Sequence, residues 1–232
     1  MSNDYPNNSH THDASSKRVE SNQHGLHKQL RQTVEKHLQH TFQRPIADHN
    51  KLAFDNIQAW INERDRPFII DSYCGVGEST LRIAKQHPET LVIGIDKSSY
   101  RLNKHENIFS AGAADNYQLV RADVDDFWRL AQQAGWQPIK HFLLYPNPWP
   151  KSVHLKRRCH GSPLFPTLLA LGGALTLRSN WSTYLEEFNT ALIIAGHPEG
   201  EIENLSITEP MTPFERKYSQ SGQTIWQLHC HI

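Results

Sequence analysis

Long apolar runs are missing from this 232-residue chain, and so are paired cysteines and any surplus of one charge. No run approaches the ~18 residues that a membrane span needs, which argues against a membrane protein. The opening residues, MSNDYPNNSHTHDASSKR, hold no apolar stretch of the kind a secretory signal carries. The three cysteines, Cys74, Cys159 and Cys230, are far apart and odd in number. They spell neither a disulfide framework nor a zinc spacing, and a cytoplasmic protein is the simplest expectation. Lys and Arg together number 24, and so do Asp and Glu, giving zero formal charge with His neutral. Nucleic-acid binders are often strongly basic, so a role of that kind would have to rest on a local patch. Nothing fixes an oligomeric state; a monomer is the default.

What is present divides the chain. Residues 1–24 offer almost no apolar side chains beyond Met1, Tyr5, Ala14 and Val19. Such a segment cannot offset its ordering entropy, which predicts a disordered polar tail. A helical extension is expected over 25–64. Leu26, Leu30, Val34, Leu38 and Phe42 recur every four residues, Pro45 breaks the pattern, and a second helix carries Leu52, Phe54, Ile57, Trp60 and Ile61. From residue 65 to 232 the texture is that of one α/β domain. FIID, LVIGID, YQLV, HFLLY and GALTL have strand length, and segments such as STLRIAKQH and VDDFWRLAQQAG lie between them. That alternation predicts a mostly parallel sheet with helices on both faces, a Rossmann-like fold. TIWQLHCHI alternates in polarity and reads as an added edge strand.

The strand FIID runs into Asp71-Ser-Tyr-Cys-Gly75-Val-Gly77-Glu-Ser-Thr80. Two glycines between a strand and a helix let backbone approach a ligand closely. A dinucleotide fingerprint would place a third glycine where Thr80 stands. Asp96 ends the next strand, placed to accept from two ribose hydroxyls, and Asp123 ends the third, placed to accept from an adenine amine. Three acids at successive strand ends, without the third glycine, suit an adenosine ligand lacking a pyrophosphate, and S-adenosylmethionine is such a ligand. Helix capping by the same acids is the competing reading.

After the fourth strand comes YPNPWPKSVHLKRR, Tyr145 to Arg158. Prolines stiffen this loop, Trp149 offers a face on which a base could stack, and four Lys or Arg follow with no acid. Beside a methyl-donor pocket, that basic run suggests phosphate. Histidines 10, 12, 24, 27, 37, 40 and 49 recur in the N-terminal part of the chain; without Cys partners or an acid cluster they read as solvent-facing rather than as metal ligands.

Together, D-x-x-C-G-x-G-E-S, GIDKS, RADVDDF, PNPWPK…H-x-KRR, GGALTLRSNW and TPFERK, in that order over about residues 66–218, resemble the tRNA (guanine-N7)-methyltransferases. The resemblance implies a class I S-adenosylmethionine-dependent methyltransferase with a mostly parallel seven-stranded sheet. It implies transfer to N7 of a guanine in the tRNA variable loop. By position, Asp71, Gly75, Gly77, Asp96, Lys97 and Asp123 would hold the cofactor. Asn147, Asn180, Thr212 and Glu215 would face the guanine, with Asn147 and Asn180 at catalytic positions, and Trp149, Lys151, Lys156, Arg157 and Arg158 would bind the RNA. Two positions depart from the family pattern, which reads P-D-P-W and T-D-W where this chain has Pro-Asn147-Pro-Trp and Ser-Asn180-Trp. An amide keeps one acceptor, adds a donor and loses the charge that would stabilise a cationic product. Three alternatives follow: methylation of an exocyclic adenine or cytosine amine, in the manner of N-P-P-aromatic loops; methylation of another substrate; or a non-catalytic RNA-binding paralogue.

Overall fold

A computed structural model describes residues 16–109 and 114–232. Two helices lead into the sheet. α1 (Leu30–Leu38) is shorter than the every-fourth-residue stripe implies. Leu30 and Val34 are buried, whereas Leu26 and Leu38 are 45% and 41% exposed. Leu26 and Phe42 fall outside the helix, and within it a step of four residues overshoots a turn by about 40°, so Leu38 rotates off the core. α2 (Asp48–Asn62) buries Phe54, Ile57, Trp60 and Ile61 and leaves Leu52 in solvent. Phe54 meets the rings of Phe127 and Trp136 at 5.3 and 4.9 Å, so this extension shares one core with the sheet.

The sheet comprises β1 (Phe68–Ser72), β2 (Leu91–Asp96), β3 (Tyr117–Arg121), β4 (Lys140–Leu144), β5 (Ala174–Ser179), β6 (Glu201–Asn204) and β7 (Trp226–His231), ordered β3-β2-β1-β4-β5-β7-β6. β1 to β5 run parallel, and β7 lies antiparallel to both its neighbours. Every residue of β2 is buried, as a central parallel strand covered on both faces requires. The remaining helices are α3 (Glu78–Gln86), α4 (Ser99–Phe109), α5 (Val124–Gln133), α6 (Phe165–Leu171), α7 (Ser182–Ile194) and α8 (Pro213–Gln220). Strand order reverses between β1 and β4, and in open parallel sheets ligands bind outside the carboxyl ends at that point.

Three expectations change. β7 is not the edge: β6, with the sequence EIEN, lies outside it and exposes Glu201, Glu203 and Asn204. Charged side chains suit an edge strand, but they hide it from a search for apolar runs. Gln227, on the polar face of β7, is buried because it accepts from Arg178 Nε at 2.7 Å and donates to Glu203 Oε1 at 2.8 Å. Of the tail, residues 1–15 lie outside the described residues, while 16–24 form no helix or strand but are hydrogen-bonded to the domain. Ser16 N donates to Ser221 Oγ (2.8 Å), Ser21 Oγ to the Pro150 carbonyl (2.7 Å) and Gln23 Nε2 to Glu187 Oε1 (2.6 Å). Polar bonds do the holding, and a hydrophobicity count does not register them.

Gly77 shows why the turn into α3 needs glycine. Its φ is +75°, and an added Cβ would meet Leu119 Cδ1 at 2.6 Å and His105 Nδ1 at 2.9 Å. Gly135 has φ +70° but open space on that side. Gly77→Ala should therefore cost about 2–3 kcal/mol in urea unfolding and Gly135→Ala about 1 kcal/mol, the difference being the clash.

Candidate active site

The carboxyl ends of β1, β2 and β3 meet under the glycine loop. Asp71 is fully buried; its Oδ2 accepts from Ser79 Oγ (2.6 Å) and Thr80 Oγ1 (2.7 Å), and its Oδ1 has no partner among the described residues. Burial pushes its carboxyl up to about 6, against the two hydroxyl bonds. Asp71 thus pins the start of α3 from beneath the loop. Gly75, at φ +64°, faces open space, and its N–H donates to Asp96 Oδ2 at 3.1 Å. Asp96 also accepts from Ser98 N (2.8 Å) and pairs with Arg101 (3.2 Å). Lys97 beside it is exposed. Asp123 does cap a helix, accepting from Asp125 N at 3.0 Å, yet it stays part-exposed.

A cavity of about 580 Å³ opens beyond these residues. Asp96, Lys97 and Asp123 form one wall; Asn147, Trp149, Lys156 and Arg157 form the other. Tyr73, Asp125, Tyr145, Phe214 and Tyr218 are among the other lining residues, and the sequence carried no site assignment for these five. Tyr73, Tyr145 and Trp149 hold φ of +63°, +56° and +44°, a left-handed conformation costly for aromatic residues. That cluster of backbone strain marks the site, and nothing in residue type announces it.

Asn147 makes a tight turn: its Oδ1 accepts from Trp149 N at 3.3 Å. The Arg157 guanidinium lies 4.7 Å over the Trp149 ring. Arg158, next in sequence, points the other way. It is fully buried, paired with Glu187 of α7, and donates to the carbonyls of Trp149 (3.2 Å) and Lys151 (3.3 Å). It therefore supports the loop from inside and does not reach RNA, contrary to expectation. Lys151 is exposed but off the cavity wall.

Asn180, Thr212 and Glu215 also stand elsewhere than expected. Asn180 Nδ2 donates to Gln223 Oε1 (2.9 Å), and Gln223 Nε2 donates to the Ser16 carbonyl (2.8 Å), so this amide ties the tail down. Thr212 caps α8, accepting from Glu215 N at 3.0 Å. Glu215 is fully buried and accepts from Tyr145 Oη (2.8 Å), Arg178 Nη1 (2.8 Å) and Met211 N. It stands behind the cavity and acts on it only through Tyr145.

The geometry fits S-adenosylmethionine: an open glycine cradle, a strand-end carboxylate at the cradle's rim and an aromatic cavity beyond. Fold and site together define a Rossmann-like class I methyltransferase that uses S-adenosylmethionine. Residues 65–228 match a family described as "Putative methyltransferase". A tRNA (guanine-N(7)-)-methyltransferase from Nitrosococcus oceani is 30% identical over 180 residues, 75% of this chain and 74% of the relative. One from Nocardioides sp. is 28% identical over 170 residues, 72% of this chain and 68% of the relative. Among solved structures, a 16S rRNA (adenine(1408)-N(1))-methyltransferase from Catenulisporales acidiphilia with its cosubstrate SAM superposes with a TM-score of 0.53 at 18% identity, covering 75% of this chain and 90% of that one. The chain belongs to the tRNA (guanine-N7)-methyltransferase family. Among the described residues no helix is long and apolar enough to cross a membrane, and no group of three or more His, Cys, Asp or Glu could hold a metal.

Burial works to raise the Glu187 carboxyl, but hydrogen bonds and charge from His160 and Arg158 outweigh it and hold the group at about 2. A depressed acid contributes stability that is complete above its unfolded value and lost as pH falls through the folded one. Wild-type protein should lose stability between about pH 4.5 and 2. Glu187→Gln should be less stable at pH 7 and show a flatter decline over that window, as measured by denaturant titration at stepped pH.

Proposed function

We propose that this protein methylates N7 of a guanine in the variable loop of tRNA, acting in the cytoplasm as a monomer. S-adenosylmethionine supplies the electrophilic methyl group on its sulfonium. Asp96 would take the ribose hydroxyls, Asp123 the adenine amine and Gly75 the closest backbone approach, with Lys97 at the rim and Asp71 and Gly77 shaping the loop from below. Trp149 would stack on the target base, its ring backed by Arg157, while Lys151 and Lys156 meet phosphates. Guanine N7 attacks with its own lone pair, so the site needs positioning more than a base.

The observation that carries the reading is the orientation of Asn147. Its oxygen accepts from Trp149 N within the turn and the residue lines the cavity, so its amide NH₂ remains available as a donor there. A donor there suits the guanine carbonyl O6 beside N7. An exocyclic amine target would need the amide oxygen instead, which disfavours the adenine or cytosine alternative.

Purified protein incubated with deuterated-methyl S-adenosylmethionine and unmodified tRNA should yield labelled 7-methylguanosine by nucleoside mass spectrometry. Label on an adenine or cytosine amine would replace this reading with the exocyclic one, and no label would reject transfer to tRNA. Asn147→Ala should lower kcat by about 10²-fold, the typical effect of losing one donor to the reacting group, with cofactor affinity unchanged.

A further inference from the structure

A second groove adjoins the cavity. It has a volume of about 410 Å³, lies between α1 and the 3-10 turn Ser152–Arg157, and its polar lining is His27, Gln29, Thr33, Ser152 and Lys156. Lys156 lines both spaces, so the groove begins where the target cavity ends. We propose that this groove seats the sugar–phosphate backbone of nucleotides flanking the target base, an inference that rests on reading the substrate as RNA.

The lining is donor-rich and free of carboxylates. His27 Nδ1 accepts from Gln29 N at 3.1 Å, which places the proton of the neutral ring on Nε2 and leaves that N–H as a donor. Gln29 adds an amide, Thr33 and Ser152 hydroxyls, and Lys156 an ammonium. Residues 145–162 contain no Asp or Glu, and residues 21–45 contain Glu35 alone. Glu35 is matched by Arg31 at 3.3 Å. Lys28, Lys36, Lys151 and Arg157, all exposed, lie on the segments that supply the groove walls. A neutral chain thus concentrates unpaired positive charge on one face, the electrostatic pattern that a polyanion selects.

The groove is also built rigidly. His27 N donates to Glu187 Oε1 at 2.8 Å, and the other oxygen of that carboxylate holds Arg158, which supports the Trp149–Lys151 backbone. One buried acid therefore sets both the groove wall and the base-facing loop in register. Backbone contacts of this sort position a nucleic acid without reading its sequence. On this proposal His27 serves as an N–H donor toward phosphate.

The test uses the full chain, an unmodified tRNA transcript and single substitutions on opposite walls of the groove. Gln29→Glu and Ser152→Asp should each weaken tRNA binding, the double variant by about tenfold, and make the salt dependence shallower by about one unit of log–log slope. Gln29→Lys should tighten binding, a reversal of sign that a purely structural effect would not give. S-adenosylmethionine affinity serves as the check that each variant is folded. If both acid variants bind tRNA as wild type does, the groove is not an RNA site, while formation of 7-methylguanosine by wild type would leave the proposed function standing. If wild type binds tRNA and labels nothing, the function fails, and the charge series still decides the groove. A wild type that does not bind tRNA overturns both.

Discussion

One carboxylate, that of Glu187, is the constraint on which the site depends. It has no solvent exposure, yet four donors reach it: Arg158, His160 Nε2 at 2.9 Å, Gln23 Nε2 and His27 N. An isolated buried charge would cost several kcal/mol, so the ion must be saturated to persist. Saturating it takes groups from α7, from the proline loop, from the turn at Cys159–Gly161 and from the N-terminal segment. Desolvation penalises any arrangement in which one of these groups leaves. The result is a single geometry for four pieces of chain, one of which, the segment at Gln23, is docked by polar bonds.

The same pair explains how the proline loop sustains its strain. Trp149 and Tyr145 hold left-handed backbone angles, each costing roughly 1–3 kcal/mol. Prolines at 146, 148 and 150 limit the alternatives of the unfolded loop. Arg158 then bonds the Trp149 and Lys151 carbonyls from inside, and Glu215 holds the Tyr145 hydroxyl from the other side. Local strain is offset by two buried ionic centres, and what results is a stiff platform facing the methyl donor. Stiffness is what a transfer needing only a lone pair and an in-line methyl requires.

How much of this was legible depends on what kind of signal each residue carries. Strands β1, β2, β4 and β5 announce themselves as apolar runs because most of their side chains are buried; β3, at the other edge, is only partly buried yet keeps Leu119 and Val120, and the acids Asp71, Asp96 and Asp123 follow from topology. β6 was invisible because an edge strand need not be apolar, and the run of residues 16–24 because polar bonds hold it. Arg157 and Arg158 are adjacent and chemically identical in sequence; one lies over Trp149 at the cavity and the other is sealed against Glu187. No pattern in the run KRR distinguishes them, since the difference is set by a glutamate 29 residues away. Thr212 and Glu215 carry a capping-box spacing that was available in T-x-x-E, and the structure puts that spacing to structural use. Tyr145 and Tyr218, with rings 5.5 Å apart on the cavity wall, carried no motif at all.

The two amides that depart from the family pattern answer to different demands. Asn180 donates to Gln223, which donates onward to the Ser16 carbonyl; a carboxylate at 180 has no proton to begin that relay. The amide is therefore matched to the docked N-terminal segment, which in turn supplies Gln23 and His27 to Glu187. Asn147 faces the cavity, where the loss of a negative charge bears on chemistry. Asp96, Asp123 and Asp125 line the opposite wall of the same cavity, and burial raises Asp125. The burial that raises Asp125 disfavours its charged form, so the carboxylates of Asp96 and Asp123 are the ones left to balance a cation in this space. On the proposed reading of the site, Asn147 is a neutral donor that orients the base, and Asn in place of Asp there gives up electrostatic pull for alignment.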